Sequence, residues 1–159
     1  MSPLELNAIV QLIIATALGA AIGIERSIAG KRAGMRTYAL VALGACLLTV
    51  VSLIVSNSYI GLTNFDPLRV AASIVMGIGF IGTGLVVFKG DNLIGLTTAA
   101  GLWVAAGLGI AVGFRLYVIA LAATVFAIII FKGFIVFEKM IDVMFKNKQK
   151  EQFTVESEH

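Results

Sequence analysis

The sequence predicts an all-α, polytopic membrane protein with five transmembrane helices. Of its 159 residues, 59% are hydrophobic and 13% are charged, whereas soluble domains have about 45–50% apolar and 25% charged residues. The mean hydropathy is +1.00. Each charge-free run holds at most one helix of about 17–25 residues, the length that crosses a bilayer. These runs are Leu6–Ile24, Thr37–Phe65, Val70–Phe88, Asn92–Phe114 and Leu116–Phe131.

The unequal distribution of Lys and Arg predicts the orientation in the membrane. Ten of these residues fall on one side of the predicted spans, and Arg69 and Arg115 fall on the other side. Because cytoplasmic segments carry the excess of positive charge, we expect the N-terminus outside and the C-terminus in the cytoplasm. Glu5 precedes the first apolar run and the basic residues follow it. This is the reverse of a cleaved signal peptide, so the first run is expected to remain as a helix.

Helix one is expected from about Leu4 to Gly23. Ala15, Gly19 and Gly23 follow one another along it at four-residue spacing. Small residues in this pattern allow two helix backbones to approach closely in lipid. Gly19 and Gly23 are therefore predicted to lie on a helix-packing face. Helix two is expected over about Tyr38–Val55 and has fewer small residues.

The segment Glu25–Arg36 between these helices holds five charges in twelve residues. Such a basic segment is typical of an anchor among lipid headgroups. Glu25 and Arg26 stand at the end of the first span, where a charge needs a partner or a water-filled cavity. Two interpretations therefore stay open: an anchor alone, or a polar site in which Glu25 pairs with Arg32, Arg36 or another helix.

An Asp-Pro pair predicts the start of helix three. The carboxylate of Asp66 can accept hydrogen bonds from backbone N–H groups of the first turn. Pro67 has no N–H group, but the first residue of a helix does not need one. Arg69 lies three residues on, close enough to pair with Asp66. Either the two residues form a cap with a local ion pair, or Arg69 lies below the interface and lines a polar pocket.

The third span contains four glycines, Gly77, Gly79, Gly82 and Gly84. Their spacing partly matches a dinucleotide-binding loop, but that loop follows a strand in a soluble βαβ unit, and these glycines lie inside an apolar span. At 100° per residue, Gly77 and Gly84 share one helix face, and the other two glycines lie on nearly the opposite face. Helix three is therefore expected to be the close-packed centre of the bundle. The alternative is a helix broken at these glycines, as in transporters.

A short turn, Lys89–Asn92, contains Asp91 and leads back into the membrane. Thr97 and Thr98 follow near the start of helix four, where hydroxyls can bond the backbone or a neighbouring helix. Small residues then recur at every fourth position, namely Gly101, Ala105, Gly109 and Gly113.

Helix five is expected over about Leu116–Phe137. It has no glycine before Gly133 and is predicted to be peripheral and lipid-facing. The chain is thus divided into a transmembrane domain, residues 1–137, and a short amphipathic and polar cytoplasmic tail, residues 138–159.

The residue types that usually carry chemistry are scarce. Cys46 is the single cysteine and lies in the second apolar run, and His159 is the single histidine and the last residue. This composition argues against a structural metal site and against a cysteine or histidine nucleophile. We therefore expect no enzymatic activity, no metal and no cofactor, and a lipid bilayer rather than nucleic acid as the surroundings of the chain.

Six segments resemble, in order and spacing, the membrane domain of the MgtC/SapB family. They are Gly23–Arg26, Ala33–Thr37, Leu43–Ala45, Asp66–Ala71, Gly77–Gly84 and Gly95–Trp103. The resemblance covers roughly Leu6 to Phe131. It implies a bacterial or archaeal inner-membrane protein with five spans. It also implies a link to growth in low magnesium and survival inside macrophages, and a connection with inhibition of the F-type ATP synthase.

MgtC proper carries a soluble C-terminal domain that resembles ACT domains. Only a short tail follows the last predicted span in this sequence, so the chain is expected to look more like the shorter SapB-type members. The resemblance, carried over position by position, makes eight polar residues functional candidates. They are Glu25, Arg26, Arg36, Asp66, Arg69, Asp91, Thr97 and Thr98.

Two functions follow from these features. The first is a non-enzymatic regulator that packs a glycine-faced helix against another membrane protein, such as an ATP synthase subunit. The second is a small transporter or channel, expected to be a homo-oligomer because five short helices enclose little volume. The charge-free stretch Val70–Phe88 counts against an ion pathway. The predicted placement of Asp66 outside and Glu25 inside counts against a magnesium site.

Overall fold

The computed structural model of the chain describes residues 2–58 and 66–133. The helices in this part are α1 (Pro3–Ile28), α2 (Met35–Ser58), α3 (Pro67–Leu85), α4 (Leu96–Gly113) and α5 (Tyr117–Gly133). An antiparallel hairpin of β1 (Val87–Lys89) and β2 (Asn92–Ile94) connects α3 to α4. Helices α1 to α4 are each long and apolar enough to cross a membrane. The predicted all-α membrane fold is therefore confirmed, and its orientation stays a prediction.

Two compact units divide the chain, Met1–Ala127 and Ile128–His159. The first unit contains α1 to α4, the hairpin and the first part of α5. In the second unit the described residues end at Gly133. The end of predicted helix five, residues 134–137, and the predicted tail, residues 138–159, therefore lie outside the described residues.

Helix α1 begins with a capping box and continues beyond its predicted end. Ser2 Oγ accepts a hydrogen bond from Glu5 N (3.2 Å), and Ser2 N donates to Glu5 Oε2 (2.6 Å). These bonds satisfy two backbone N–H groups at the start of the helix that have no acceptor within it. At the other end the helix continues to Ile28, so Glu25 and Arg26 are helical residues, and the predicted end at about Gly23 is wrong.

The true end of α1 is set by Gly30, which has a positive φ of 65°. Gly30 N donates to Ser27 O (3.1 Å), and Lys31 N donates to Arg26 O (3.0 Å). This pair of bonds is a Schellman motif, in which a glycine in the left-handed conformation closes the helix. The helix therefore ends at the glycine rather than at the first charge after the apolar run.

Helices α1 and α2 pack with their backbones in close contact. A Cβ atom added at Gly19 would lie 2.6 Å from Tyr38 O and 2.8 Å from Ala42 Cβ. One added at Gly23 would lie 2.5 Å from Met35 Cα. Any side chain at either position would push the two helices apart, so these glycines set the α1–α2 distance.

Helix α4 is the centre of the first unit, with 50% of its apolar window buried. A Cβ atom at Gly109 would collide with Ala42 O and lie 2.8 Å from Ala45 Cβ. A Cβ atom at Gly113 would lie 2.6 Å from Thr49 Cβ. Helix α4 therefore packs directly against the backbone of α2. The buried small residues at four-residue spacing are Gly101, Ala105, Gly109 and Gly113.

Helix α3 is a continuous α-helix, so the alternative of a helix broken at its glycines is wrong. Its buried residues are Ile78 and Gly82, and 17% of its apolar window is buried. A Cβ atom at Gly82 would lie 3.5 Å from Ala99 Cβ of α4. Three glycines of α3 would meet no atom within 4 Å at the Cβ position: Gly77, Gly79 and Gly84. The expectation that α3 is the close-packed centre is therefore wrong for the single chain, because α4 occupies that place.

The predicted turn after α3 is confirmed, with Gly90 at a φ of 61°. The flanking strands were not predicted, because each contains three residues and is too short to show alternation. Gly95 has a φ of 102°, and a Cβ atom there would collide with Leu85 O. The close approach between the end of α3 and the start of α4 therefore requires glycine at this position.

Helix α5 follows a tight turn at Arg115, which has a positive φ of 63°. Ala120 and Thr124 are buried, whereas Val118 and Phe126 are exposed. Thr124 Oγ1 donates to Ala120 O at 2.9 Å and is thereby satisfied within its own helix. Burial on one side and apolar exposure on the other agree with the expected lipid-facing position of this segment.

Candidate functional site at one end of the helix bundle

The ends of α1 and α3 and the starts of α2 and α4 lie at the same end of the first unit. A cleft at this end is lined by the α1–α2 turn, the end of α3, the hairpin and the start of α4. The predicted orientation makes this the cytoplasmic end. The predicted site residues at this end are Glu25, Arg26, Arg36, Asp91, Thr97 and Thr98. Asp66 belongs to the start of α3, at the opposite end. The structure therefore does not bring all the candidates together.

Glu25 and Arg26 form a buried ion pair in the last turns of α1. Arg26 Nε donates to Glu25 Oε2 at 2.7 Å, and Arg26 Nη2 donates to Glu25 Oε1 at 3.2 Å. The two side chains are 7% and 1% exposed, respectively. Because a buried carboxylate needs a hydrogen-bonded cation, the neighbouring guanidinium satisfies it. Arg32 and Arg36, the partners named in one of the two alternatives, are exposed and form no ion pair with Glu25 within the described ranges.

Tyr38, near the start of α2, lies at the same end of the bundle as this pair. Its side chain is fully buried. Tyr38 Oη donates to the backbone oxygen of Thr98 at 3.3 Å, which links α2 to the start of α4. Polar groups from α1, α2 and α4 therefore meet inside the bundle at this end.

A cleft of about 460 Å³ opens at the same end. Its polar lining consists of Lys31 and Arg32 from the α1–α2 turn and Thr97 and Thr98 from α4. Leu85 and the hairpin contribute apolar walls. The cleft thus combines two cationic side chains with the N-terminus of a membrane-spanning helix.

The turn that carries Lys31 and Arg32 is held in place by Ser27. Ser27 Oγ accepts a hydrogen bond from Met35 N at 3.0 Å. A Cβ atom at Gly34 would collide with that same oxygen, so the chain passes directly over the serine. The two cations are therefore presented by an ordered turn and not by a loose loop.

The other predicted site residues lie apart from this cleft. Asp66 accepts a hydrogen bond from Leu68 N at 2.9 Å, so the predicted cap is confirmed. Arg69 is exposed, and within the described ranges it forms no ion pair with Asp66. Asp91 is exposed at the tip of the hairpin, and Arg36 is exposed at the start of α2.

Two buried polar residues were missed by sequence reasoning. Tyr38 stands at the start of the second apolar run, where an aromatic residue looks like an interfacial anchor. Gln11 is 3% exposed and donates to Val112 O and Gly113 O, both at 2.8 Å. The signal for Gln11 was present, because an amide within an apolar span needs a partner.

The chemistry available at this end favours anions over cations. In the part of the chain that the structure describes, no group of three or more His, Cys, Asp or Glu side chains is placed to hold a metal ion. The carboxylate of Glu25 is already engaged by Arg26. Lys31, Arg32 and the hydroxyls of the cleft are hydrogen-bond donors that suit an anionic group.

Known proteins similar to this chain fall in one family. Residues 12–140 match the MgtC family. The "Putative magnesium transporter YhiD" of Escherichia coli is 43% identical over 97 residues, which is 58% of this chain and 44% of the relative. Protein SapB of Bacillus subtilis is 39% identical over 95 residues, covering 58% of this chain and 41% of the relative.

Protein MgtC of Brucella abortus is 47% identical over 83 residues, covering 52% of this chain and 32% of the relative. The chain thus spans less than half the length of these curated relatives, and none of the three names denotes an enzyme. No solved structure matches the chain. The family match covers most of the sequence and coincides with helices that can cross a bilayer, and the chain therefore belongs to the MgtC family of multi-pass inner-membrane proteins.

Proposed function

We propose that this protein is a non-enzymatic regulator in the inner membrane that binds a transmembrane helix of another membrane protein along the open face of α3. The family's association with low magnesium supports a role in adaptation to that stress. The family resemblance also suggests the occupant, which is a helix from a membrane subunit of the F-type ATP synthase.

The observation that supports this proposal is the contrast between two sets of glycines. A Cβ atom at Gly19 or Gly109 would strike a neighbouring helix, whereas one at Gly77 or Gly84, which share one face of α3, would meet nothing within 4 Å in the described chain. Glycine in a helix interior costs about 0.5–1 kcal/mol relative to alanine. In lipid, small residues are favoured where helix backbones touch. An exposed glycine face suits a helix supplied by another chain.

A groove between α2 and α3 supports an elongated, apolar occupant. It has a volume of about 690 Å³ and is lined by Gly44 of α2 and Gly77 of α3. On α2 it extends from Arg36 to Leu48, which is about 18 Å of helix. The exposed Arg36 at one end favours an occupant with an acidic residue at the predicted cytoplasmic end. A transmembrane helix is apolar and, at about 30 Å, long enough to fill this groove along its whole length.

Reconstitution with a defined partner tests the proposal. The full chain and purified F-type ATP synthase are placed in liposomes, and stoichiometric association and ATP-driven proton pumping are measured. We expect the chain to associate with the synthase and to lower pumping. We expect Gly77→Leu to lose both effects, because leucine fills the face on which the partner helix packs.

Gly77→Leu is a clean test because its site is open in the chain itself. The variant should keep the helical content and thermal midpoint of the wild type. Val118→Leu, at an exposed position of α5, is the matched control and should associate normally. The proposal is wrong if the wild-type chain does not bind the synthase, if it binds only a second copy of itself, or if Gly77→Leu binds as tightly as wild type.

Transport is the second candidate, favoured by the name of the Escherichia coli relative and by the depth of the cleft. The cleft reaches Thr98, whose backbone oxygen accepts a hydrogen bond from Tyr38 Oη. Purified protein in liposomes containing a magnesium-sensitive dye tests this function. Magnesium flux that is lost in Glu25→Gln would support transport, and no flux above empty liposomes would exclude magnesium as the transported ion.

A further inference from the structure

The start of α4 presents unused backbone donors to the cleft. This helix is 18 residues long, and its N-cap, Gly95, makes no side-chain capping bond. In the described part of the chain, the N–H groups of Leu96, Thr97 and Thr98 have no backbone acceptor outside the helix, and the first turn of a helix offers none inside it. These N–H groups and the helix dipole favour an anion at this point.

The hydroxyl of Thr98 gives a second, independent indication. The side chain is 4% exposed and lines the cleft. Within the described ranges the hydroxyl has no hydrogen-bond partner, while the backbone oxygen of the same residue is held by Tyr38 Oη. The side chain is held in the fold while its hydroxyl, unpaired in the described chain, is open to the cleft, so it is placed to donate a hydrogen bond to an anionic group there.

The two cations complete the arrangement. Lys31 and Arg32 line the same cleft as Thr98, and Ser27 orders the turn that carries them. Lysine, arginine, hydroxyl and backbone N–H groups together form the donor set that recognises phosphate oxygens. The volume of about 460 Å³ and the apolar wall at Leu85 leave room for an organic group attached to the phosphate.

We propose that this cleft binds a phosphate group, carried by an anionic phospholipid or by a soluble phosphate ester. Lys31 and Arg32 supply the positive charge, and the first turn of α4 with the Thr98 hydroxyl supplies directed donors. We call these residues, together with Gly95 and Thr97, the phosphate cleft. It is separate from the face of α3 proposed to bind a helix, so each proposal is tested independently.

Two binding measurements on the full chain distinguish the sources of the phosphate. Phosphatidylcholine nanodiscs with and without phosphatidylglycerol, followed by native mass spectrometry, report a retained lipid headgroup. Inorganic pyrophosphate, titrated onto the detergent-solubilised chain in calorimetry, reports a soluble ligand. We expect saturable binding in at least one of these measurements, and the one that responds identifies the source.

Thr98→Val is the decisive variant because it keeps the shape of the side chain and removes the hydroxyl. A hydrogen bond to a charged group corresponds to a loss of about tenfold in affinity. Since the hydroxyl bonds nothing in the described chain, the thermal midpoint without ligand should stay the same or rise. A purely structural threonine would show the reverse, with a lower midpoint and unchanged binding.

The charge contribution is tested with Lys31→Gln/Arg32→Gln. We expect this double variant to bind at least about tenfold more weakly. Arg69→Gln/Lys132→Gln removes the same charge from exposed positions outside the cleft and should bind as wild type does. The proposal is overturned by no binding in either measurement, by wild-type affinity in Thr98→Val, or by equal losses in the two charge variants.

Discussion

Gln11 of α1 donates a hydrogen bond to the backbone oxygen of Val112 in α4 at 2.8 Å. The same amide nitrogen also donates to Gly113 O at 2.8 Å. Val112 O also accepts a hydrogen bond from Arg115 N at 2.9 Å. The last carbonyls of a helix lack intrahelical donors, and the apolar part of a bilayer supplies none. Gln11 therefore adds a side-chain donor at the end of α4 and fixes the two helices against each other.

Gln11→Leu should destabilise the fold by about 1–2 kcal/mol, because hydrogen bonds between membrane helices contribute about 0.6–2 kcal/mol each. The free energy of unfolding in detergent, measured by denaturant titration, checks this. Thr16→Val is the matched control, since among the described residues Thr16 Oγ1 bonds only Leu12 O of its own helix. Equal unfolding curves for Gln11→Leu and Thr16→Val would contradict the role given to Gln11.

Gly109→Ala should destabilise the chain by about 1–3 kcal/mol, the usual result of overpacking. Its new methyl group would collide with Ala42 O of α2. Gly107 stands two residues away in the same helix with no atom within 4 Å of an added Cβ, so Gly107→Ala should be neutral or stabilising. Thermal midpoints of the two variants give the comparison, and a loss of similar size in both would argue against close α2–α4 packing.

Glu25→Gln should cost about 3–5 kcal/mol, since removing one partner of a buried ion pair leaves the other charge uncompensated. Glu25→Gln/Arg26→Met removes both charges and should recover part of that loss. Arg36→Gln, at an exposed position, should change the free energy of unfolding by less than about 0.5 kcal/mol. If the loss of unfolding free energy in the double variant equals the sum of the losses in Glu25→Gln and Arg26→Met, the pair is not energetically coupled.

Gly95→Ala should be more damaging than Gly90→Ala. Both glycines have a positive φ, and this conformation costs a non-glycine residue about 1–2 kcal/mol. Only the Cβ atom at position 95 would also collide with Leu85 O, so its variant should lose more and separate the hairpin from the start of α4. Limited proteolysis of the hairpin provides the measurement, with faster cleavage expected in Gly95→Ala. Similar cleavage of both variants would show that the contact with Leu85 is unimportant.

Hydropathy was enough to predict the class of fold, because the thickness of a bilayer fixes how long an apolar helix must be. The Asp66 cap was also predictable, since the Asp-Pro pair acts on backbone groups next to it. The end of α1 was not predictable in this way, because hydropathy places the end of a span at the first charged residue. Helix α1 instead continues with Glu25 and Arg26 neutralising each other.

The packing order of the helices could not be predicted from glycine spacing. Spacing identifies which residues of a helix share a face, but not which helix lies opposite that face. Gly77 and Gly109 stand in equally glycine-rich spans, yet α2 covers the second and no helix of the described chain covers the first. The phosphate cleft was missed for a related reason, since Lys31 and Thr98 are distant in sequence and meet only through the fold.

The central claim, that the Gly77 face of α3 holds a partner's transmembrane helix, is tested most directly by site-specific cross-linking. Cys46 is the single cysteine and is buried, so Cys46→Ala/Gly77→Cys carries one reporter for a photoreactive maleimide. Cys46→Ala/Val118→Cys places the same probe on the exposed side of α5. In liposomes with the F-type ATP synthase, we predict an adduct between position 77 and a membrane subunit of the synthase, and none from position 118. The account is contradicted if position 77 forms adducts with lipid or with a second copy of the chain and none with the synthase.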